Sequence, residues 1–189
     1  SSDLLRTAYS DGRNLAAREA MALAATYAGI AFTRANVGYV HAIAHQFGGR
    51  YHTPHGLANA IMLPHVLRFS RASIVRRLAL LAERAGVSDK EDSDDEAADK
   101  FLDAVEALNR DLGIPTELEA LQEEDIPALA KAALHEAHTG YPVPRYMTRP
   151  QCEAMIRAVL PHRAEAKPAP AKKKAPKAPK ARTRKPAAA

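Results

Sequence analysis

Apolar side chains recur along this chain at steps of three and four residues, the helical period, and no run alternates at a period of two. From Asn14 to Phe32, Ala16, Ala20, Leu23, Tyr27 and Ile30 form one stripe on an Ala-rich segment, which predicts an amphipathic helix. A second helix is predicted over Asn36 to Phe47, stopping at Gly48-Gly49, with Arg50 to His52 as a short loop. Thr53-Pro54 has the form of an N-cap followed by Pro at the first helical position. The helix it opens, running through His55, is expected to bend or break near Pro64.

Ser73 to Ala85 reads as a further helix closed by Gly86. The acidic stretch Asp89 to Asp99 starts as solvated loop; within it Ser93 and Glu96 have capping-box spacing and lead a helix toward Gly113 and Pro115. Asp125 and Pro127 begin the next helix, through Ala137, and Tyr141 to Pro144 is extended. Thr148 with Gln151 forms a second capping box before a last helix, Pro150 to Leu160. The predicted body is all-α.

Length and charge sharpen this picture. The 189 residues suffice for one domain with a real core, and with 47% apolar residues, 5% aromatics and no Trp that core is built from Ala and Leu. The net charge of +5 suggests a nucleic-acid binder until it is divided by position. Residues 162–189 carry ten of the 27 Lys and Arg and one of the 22 Asp and Glu, a net +9; residues 1–161 keep 17 against 21, a net −4. The basic character is therefore all tail, a Lys/Ala/Pro segment without large apolar side chains that is expected to be disordered.

One cysteine, Cys152, excludes an internal disulfide framework and a Cys-rich zinc module, and agrees with a reducing, cytoplasmic setting. No stretch reaches 18 consecutive apolar residues, so no membrane span is expected, and no signal peptide opens the chain. The first residues, Ser1-Ser2-Asp3, include no Met and lead directly into sequence typical of a protein interior, which leaves truncation or processing open.

Histidine is where chemistry concentrates: His41, His45, His52, His55 and His65 are five of eight. His41 and His45, one helical turn apart, share a helix face, and the turn after Gly48 and Gly49 could return His55 to the same place. Such imidazoles could hold Fe, Zn, Ni or Cu without selecting among them. An isolated His pair one turn apart is also ordinarily a hydrogen-bonded or solvent-facing pair, and two His ligands do not complete a catalytic site. Gly48, Gly49 and Gly56 either allow close backbone approach or simply end helices. His135 and His138 read as a surface pair, and His65 as a packing or surface residue.

The run His41-Ala42-Ile43-Ala44-His45-Gln46-Phe47-Gly48, followed by Pro54-His55-Gly56-Leu57-Ala58-Asn59-Ala60-Ile61-Met62-Leu63-Pro64, closely resembles the signature of the iron-containing (group III) alcohol dehydrogenases. Ala17-Arg18-Glu19-Ala20-Met21 resembles the helix before that signature, and Ala31-Phe32 and Gly38-Tyr39-Val40 continue the match. The resemblance implies a helical bundle like the carboxy-terminal domain of the dehydroquinate synthase-like, iron-containing dehydrogenase fold, over residues 1–161. By matching position, His41 and His55 resemble two of four family metal ligands. His45 resembles the histidine that faces the nicotinamide, a catalytic and cofactor-binding role.

The implied cofactors are a divalent metal, Fe2+ ahead of Zn2+, and NAD or NADP. The implied reaction interconverts an alcohol and an aldehyde or ketone, with the metal as Lewis acid, hydride passing to or from the nicotinamide, and a His relaying the proton. The other two ligands and the Gly-rich pyrophosphate loop find no match, so the chain is expected to lack the amino-terminal dinucleotide-binding domain and to be inactive alone. A homo-oligomeric full-length form is implied as well. Two other readings stand beside this one: a non-catalytic helical module, and a nucleic-acid-associated protein in which residues 164–189 bind phosphate without base specificity.

Overall fold

In the computed structural model, residues 2–162 are described; residues 163–189 of the tail expected to be disordered lie outside the described residues. They are helical, with no strand among them: α1 (Ser2–Ser10), α2 (Leu15–Ala35), α3 (Tyr39–Tyr51), α4 (His55–Ala85), α5 (Asp94–Asp111), α6 (Ile126–Gly140) and α7 (Arg149–Arg157), with a one-turn 3-10 helix (Glu123–Asp125) before α6. The all-α expectation holds. No described helix is long and apolar enough to cross a membrane.

The caps show why helices start where they do. The Asn14 side chain accepts from the Ala17 N–H at 3.0 Å to open α2. At α5 the box is reciprocal: Ser93 N–H donates to Glu96 Oε2 at 2.9 Å, and Glu96 N–H donates to Ser93 Oγ at 3.3 Å. Thr148 N–H donates to Gln151 Oε1 at 2.9 Å before α7. Gly86 ends α4 at φ +68°, in the left-handed region that glycine adopts without strain.

Four expectations fail locally. The helix α1 had no sequence signal. Gly48 and Gly49 do not stop α3, which runs on to Tyr51 and ends at a left-handed His52 (φ 56°). The cost of two helical glycines, about 1 kcal/mol each, is outweighed by the contacts at either side. Phe47 is fully buried, while Arg50 and Tyr51 both bond Asp125 just before α6. A Cβ on Gly48 would meet only the Thr53 carbonyl, at 3.7 Å, and one on Gly49 or Gly56 nothing, so close approach does not require them either. Pro54, not Thr53, occupies the N-cap of α4, and His55 is its first residue.

The fourth failure concerns Pro64. It neither ends nor splits α4; the break falls ten positions on, at the non-helical Ile74 (φ −136°, ψ 18°), close to the predicted start of the Ser73–Ala85 helix. A proline inside a helix leaves the carbonyl four residues earlier without its N–H partner. That carbonyl is Ala60 O, and Asn109 Nδ2 from α5 donates to it at 2.8 Å. A side chain from another helix thus supplies what Pro64 removes.

Packing follows from these elements. The helix α3 lies between α4 and α6, α7 closes on α6, and α5 runs along α4. The main core gathers Tyr39, Ile43 and Phe47 of α3, Met62 of α4, Ile126 of α6 and Ile156 near the end of α7. A second cluster, Leu78 with Ala98 and Leu102, joins α4 to α5. The stripe on α2 is present but uncovered: Leu23, Tyr27 and Ile30 are 49%, 67% and 65% exposed, and Ala17 alone is buried in that helix among the described residues. The predicted amphipathic helix is there, and its apolar side is left uncovered among the described residues.

The α4–α5 seam is rimmed by ion pairs: Arg68 with Asp103 and Glu106, and Arg71 with Asp95 and Asp99. Hydrogen bonds from Arg68 and Arg71 hold Glu106 and Asp99, respectively, below the usual carboxylate range. A carboxylate depressed in the folded state stabilises above its unfolded pKa, and that contribution is lost as pH falls through the lower, folded value.

Two predictions follow from this architecture. Asn109→Ala should destabilise the chain by about 1–3 kcal/mol by leaving the Ala60 carbonyl unpaired, and the cost should shrink in a Pro64→Ala background, where residue 64 regains its N–H. Urea denaturation of the four proteins in that cycle checks it. The thermal midpoint should fall as pH is lowered through about 4 and below, less steeply in Arg71→Gln and at high salt, as read by circular dichroism.

Candidate metal centre

The sequence of α3 divides its surface. Ala42, Ile43 and Phe47 are wholly buried against α4 and α6, so His41 and His45, one turn apart, emerge together on another side, His41 half-buried and His45 exposed. Only three residues, His52 to Pro54, separate α3 from α4, and the left-handed backbone at His52 turns the chain back. His55 therefore arrives beside the pair. The ring centroids of His41 and His55 are 5.3 Å apart, those of His45 and His55 5.4 Å, and those of His41 and His45 5.9 Å. Phe32, near the end of α2, places its ring 6.5 Å from His41.

Burial shifts His41 below the ordinary histidine range, with the neighbouring His55 and His45 adding in the same direction. A neutral imidazole is the form a metal requires. On α4, the Asn59 amide Nδ2 donates to the His55 carbonyl (2.8 Å) and lies within hydrogen-bonding distance of His55 Nε2 (3.1 Å). The Asn59 Oδ1 is buried and has no hydrogen-bond partner among the described residues.

Two imidazoles bound to one ion at about 2.1 Å in a tetrahedral arrangement place their centroids roughly 5 Å apart. The observed His41–His55 separation of 5.3 Å fits that arrangement. The fit is to part of a ligand set: among the described residues no group of three or more His, Cys, Asp or Glu is placed to hold an ion. His45 is the third ring of the cluster, but its Nδ1 is engaged by Glu136 Oε1 of α6 at 2.6 Å.

Glu136 had no sequence signal. Its two oxygens also accept from Gln46 Nε2 (3.0 Å) and the Tyr141 hydroxyl (2.6 Å). Tyr141 is pushed up to about 12, first by this hydrogen bond and then by burial, and so remains a donor. His138, read as a surface residue, is exposed but bonded: the Tyr39 hydroxyl and its Nε2 are hydrogen-bonded at 2.7 Å, and that hydroxyl accepts from Met147 N–H at 2.9 Å. His52 is exposed and outside the cluster. His65 is half-buried, pushed below the ordinary histidine range by burial, and lines a separate cleft of about 350 Å³ with Ile61, Arg68, Asn109 and Ile114.

A helical bundle that presents His41, His45 and His55 at an α3–α4 turn matches a known group of proteins in sequence and in shape. The profile of the Fe-containing alcohol dehydrogenase family, C-terminal part, covers residues 2–160. The chain is 43% identical over 155 residues to the 1,3-propanediol dehydrogenase of Klebsiella pneumoniae, a match spanning 81% of this chain and 40% of that protein. It is 45% identical over 126 residues to the lactaldehyde reductase of Escherichia coli K12, spanning 66% of this chain and 33% of that one. Among solved structures, a 1,3-propanediol oxidoreductase superposes with a TM-score of 0.79 at 40% identity, covering 84% of this chain and 42% of that one. An alcohol dehydrogenase from Oenococcus oeni gives 0.77 at 34% identity, covering the same shares.

This chain belongs to the Fe-containing alcohol dehydrogenase family. It spans about two fifths of the length of the 1,3-propanediol dehydrogenase it matches.

Proposed function

We propose that this chain is the helical, metal-holding part of a metal-dependent alcohol dehydrogenase that interconverts an alcohol with an aldehyde or ketone, using NAD or NADP. One observation carries the reading: the convergence of His41, His45 and His55 at the α3–α4 turn, with ring centroids within 5.9 Å of one another. His41 and His55 would hold a divalent ion, Fe2+ ahead of Zn2+, as two of its ligands. When bound, the ion supplies Lewis acidity toward the substrate oxygen.

The chain's own residues prepare that chemistry. Burial favours the neutral form of the His41 imidazole, and its ring packs near Phe32. His45, exposed and with no partner on Nε2 among the described residues, is the group that takes up or returns the alcohol proton. Residues 1–161 make up this metal-holding part. A cytoplasmic setting and a homo-oligomeric full-length form belong to the same proposal. The first is supported by the one fully buried thiol, pushed up to about 12 by burial, and the second by the uncovered apolar side of α2.

Titration calorimetry with Zn2+, and with Fe2+ under anaerobic conditions, tests the ligand assignment. Binding should be weak in the chain itself and fall at least about tenfold in His41→Ala and in His55→Ala, because even losses behind the ligands cost that much. His135→Ala, on an exposed face of α6, should bind like the parent. Unchanged affinity in both ligand variants would remove the assignment. Combined with an intact dinucleotide-binding domain from a relative, the chain should support NAD(P)-linked oxidation of primary alcohols. Absence of metal binding even in that complex would favour the non-catalytic helical module.

A further inference from the structure

The structure assigns Glu136 a positioning role: it holds His45 as the Nδ1–H tautomer, with Nε2 as the nitrogen left to exchange the substrate proton. The proposal rests on the proton-handling role given to His45 above.

The geometry is specific to an acceptor of this kind. Glu136 Oε1 lies 2.6 Å from His45 Nδ1, and a carboxylate can only accept, so Nδ1 must carry the hydrogen. Glu136 is itself fixed from two other directions. The Tyr141 hydroxyl donates to Oε1 at 2.6 Å, and Gln46 Nε2 donates to Oε2 at 3.0 Å. Gln46 is in turn anchored on its own helix, donating to the Ala42 carbonyl at 3.1 Å. The carboxylate therefore cannot swing away from His45 without giving up two other donors.

The bond also fixes the plane of the ring. With Nδ1 tied to α6, the His45 imidazole lies over that of His55, centroids 5.4 Å apart and planes 23° from parallel. Its Nε2 has no bonding partner among the described residues. An imidazole free to choose its tautomer would present its acceptor on either nitrogen. A carboxylate behind Nδ1 removes that ambiguity.

Glu136 could instead serve only to tie α3 to α6, so the test reads the tautomer directly. The full chain, labelled with 15N at histidine and kept with a chelator so that no metal competes, is examined by long-range 1H–15N correlation at about pH 8–9, where imidazoles are neutral. Wild-type His45 should show hydrogen on Nδ1. In Glu136→Ala the ratio of Nδ1–H to Nε2–H should fall about tenfold or more, the effect of losing one charge-assisted hydrogen bond, with a smaller fall in Glu136→Gln.

A wild-type His45 carrying its hydrogen on Nε2 would overturn the proposal, whether or not Glu136→Ala folds. So would a ratio unchanged in a folded Glu136→Ala. Because no ion takes part in this measurement, failure of the metal-ligand assignment at His41 and His55 would leave its outcome untouched, and the two can be told apart.

Discussion

The site depends on how α3 is held. The helix is pressed between α4 and α6, and Ala42, Ile43 and Phe47 are wholly buried in the contact. Burying an aromatic and a branched aliphatic side chain contributes several kcal/mol, on the order of 2 kcal/mol each. Rotating α3 by one position would bring a histidine into the core without a partner and return Phe47 to water. Both changes are unfavourable, so the rotation of the helix is fixed by its apolar side, and the histidine side follows from it. The core of this bundle thus aims His41 and His45. The three-residue link then leaves His55 little choice of position.

Much of this was legible because it is local. Helical period, capping boxes at Ser93 and Thr148, and the closing Gly86 act within a few residues, and the structure has them where the sequence places them. The spacing of His41 and His45 likewise needs only the geometry of one helix. The misreadings share the opposite character. Pro64 is tolerated because Asn109, 45 positions later in the chain, bonds the carbonyl that proline leaves open. The two glycines of α3 are carried by Phe47 in the core and by Asp125, which bonds Arg50 and Tyr51 from far along the chain. Glu136 reaches His45 across a separation of 91 residues. No pattern of neighbours encodes such partners, since they exist only once the helices have packed.

A different limit applies to α2. Its apolar stripe is real, and Leu23, Tyr27 and Ile30 lie on it, yet these side chains remain about half or more exposed among the described residues. Periodicity reports that a helix has an apolar side; it does not report what lies against that side. Contiguous apolar surface of this kind ordinarily marks a place of contact. Phe32, near the end of the same helix but on the side opposite that stripe, reaches the His41 ring. One helix thus carries an uncovered apolar stripe on one side and, on the opposite side, a ring that neighbours the histidine cluster.

What surrounds each imidazole distinguishes His41 from His45. His41 is half-buried, with Phe32 on one side and two other imidazoles on the other, and burial comes first among the causes that lower its pKa. The Glu136 carboxylate acts on it in the opposite sense but more weakly. A neutral imidazole offers its lone pair at neutral pH without first losing a proton, which is the requirement on a metal ligand. His45 differs: it is exposed, and it holds Glu136 directly through one nitrogen while the other has no partner among the described residues. Two histidines one turn apart on the same helix are thereby made different, one by what covers it and one by what it is bonded to. Their spacing alone gives no means of telling them apart, whereas the packing around α3 does.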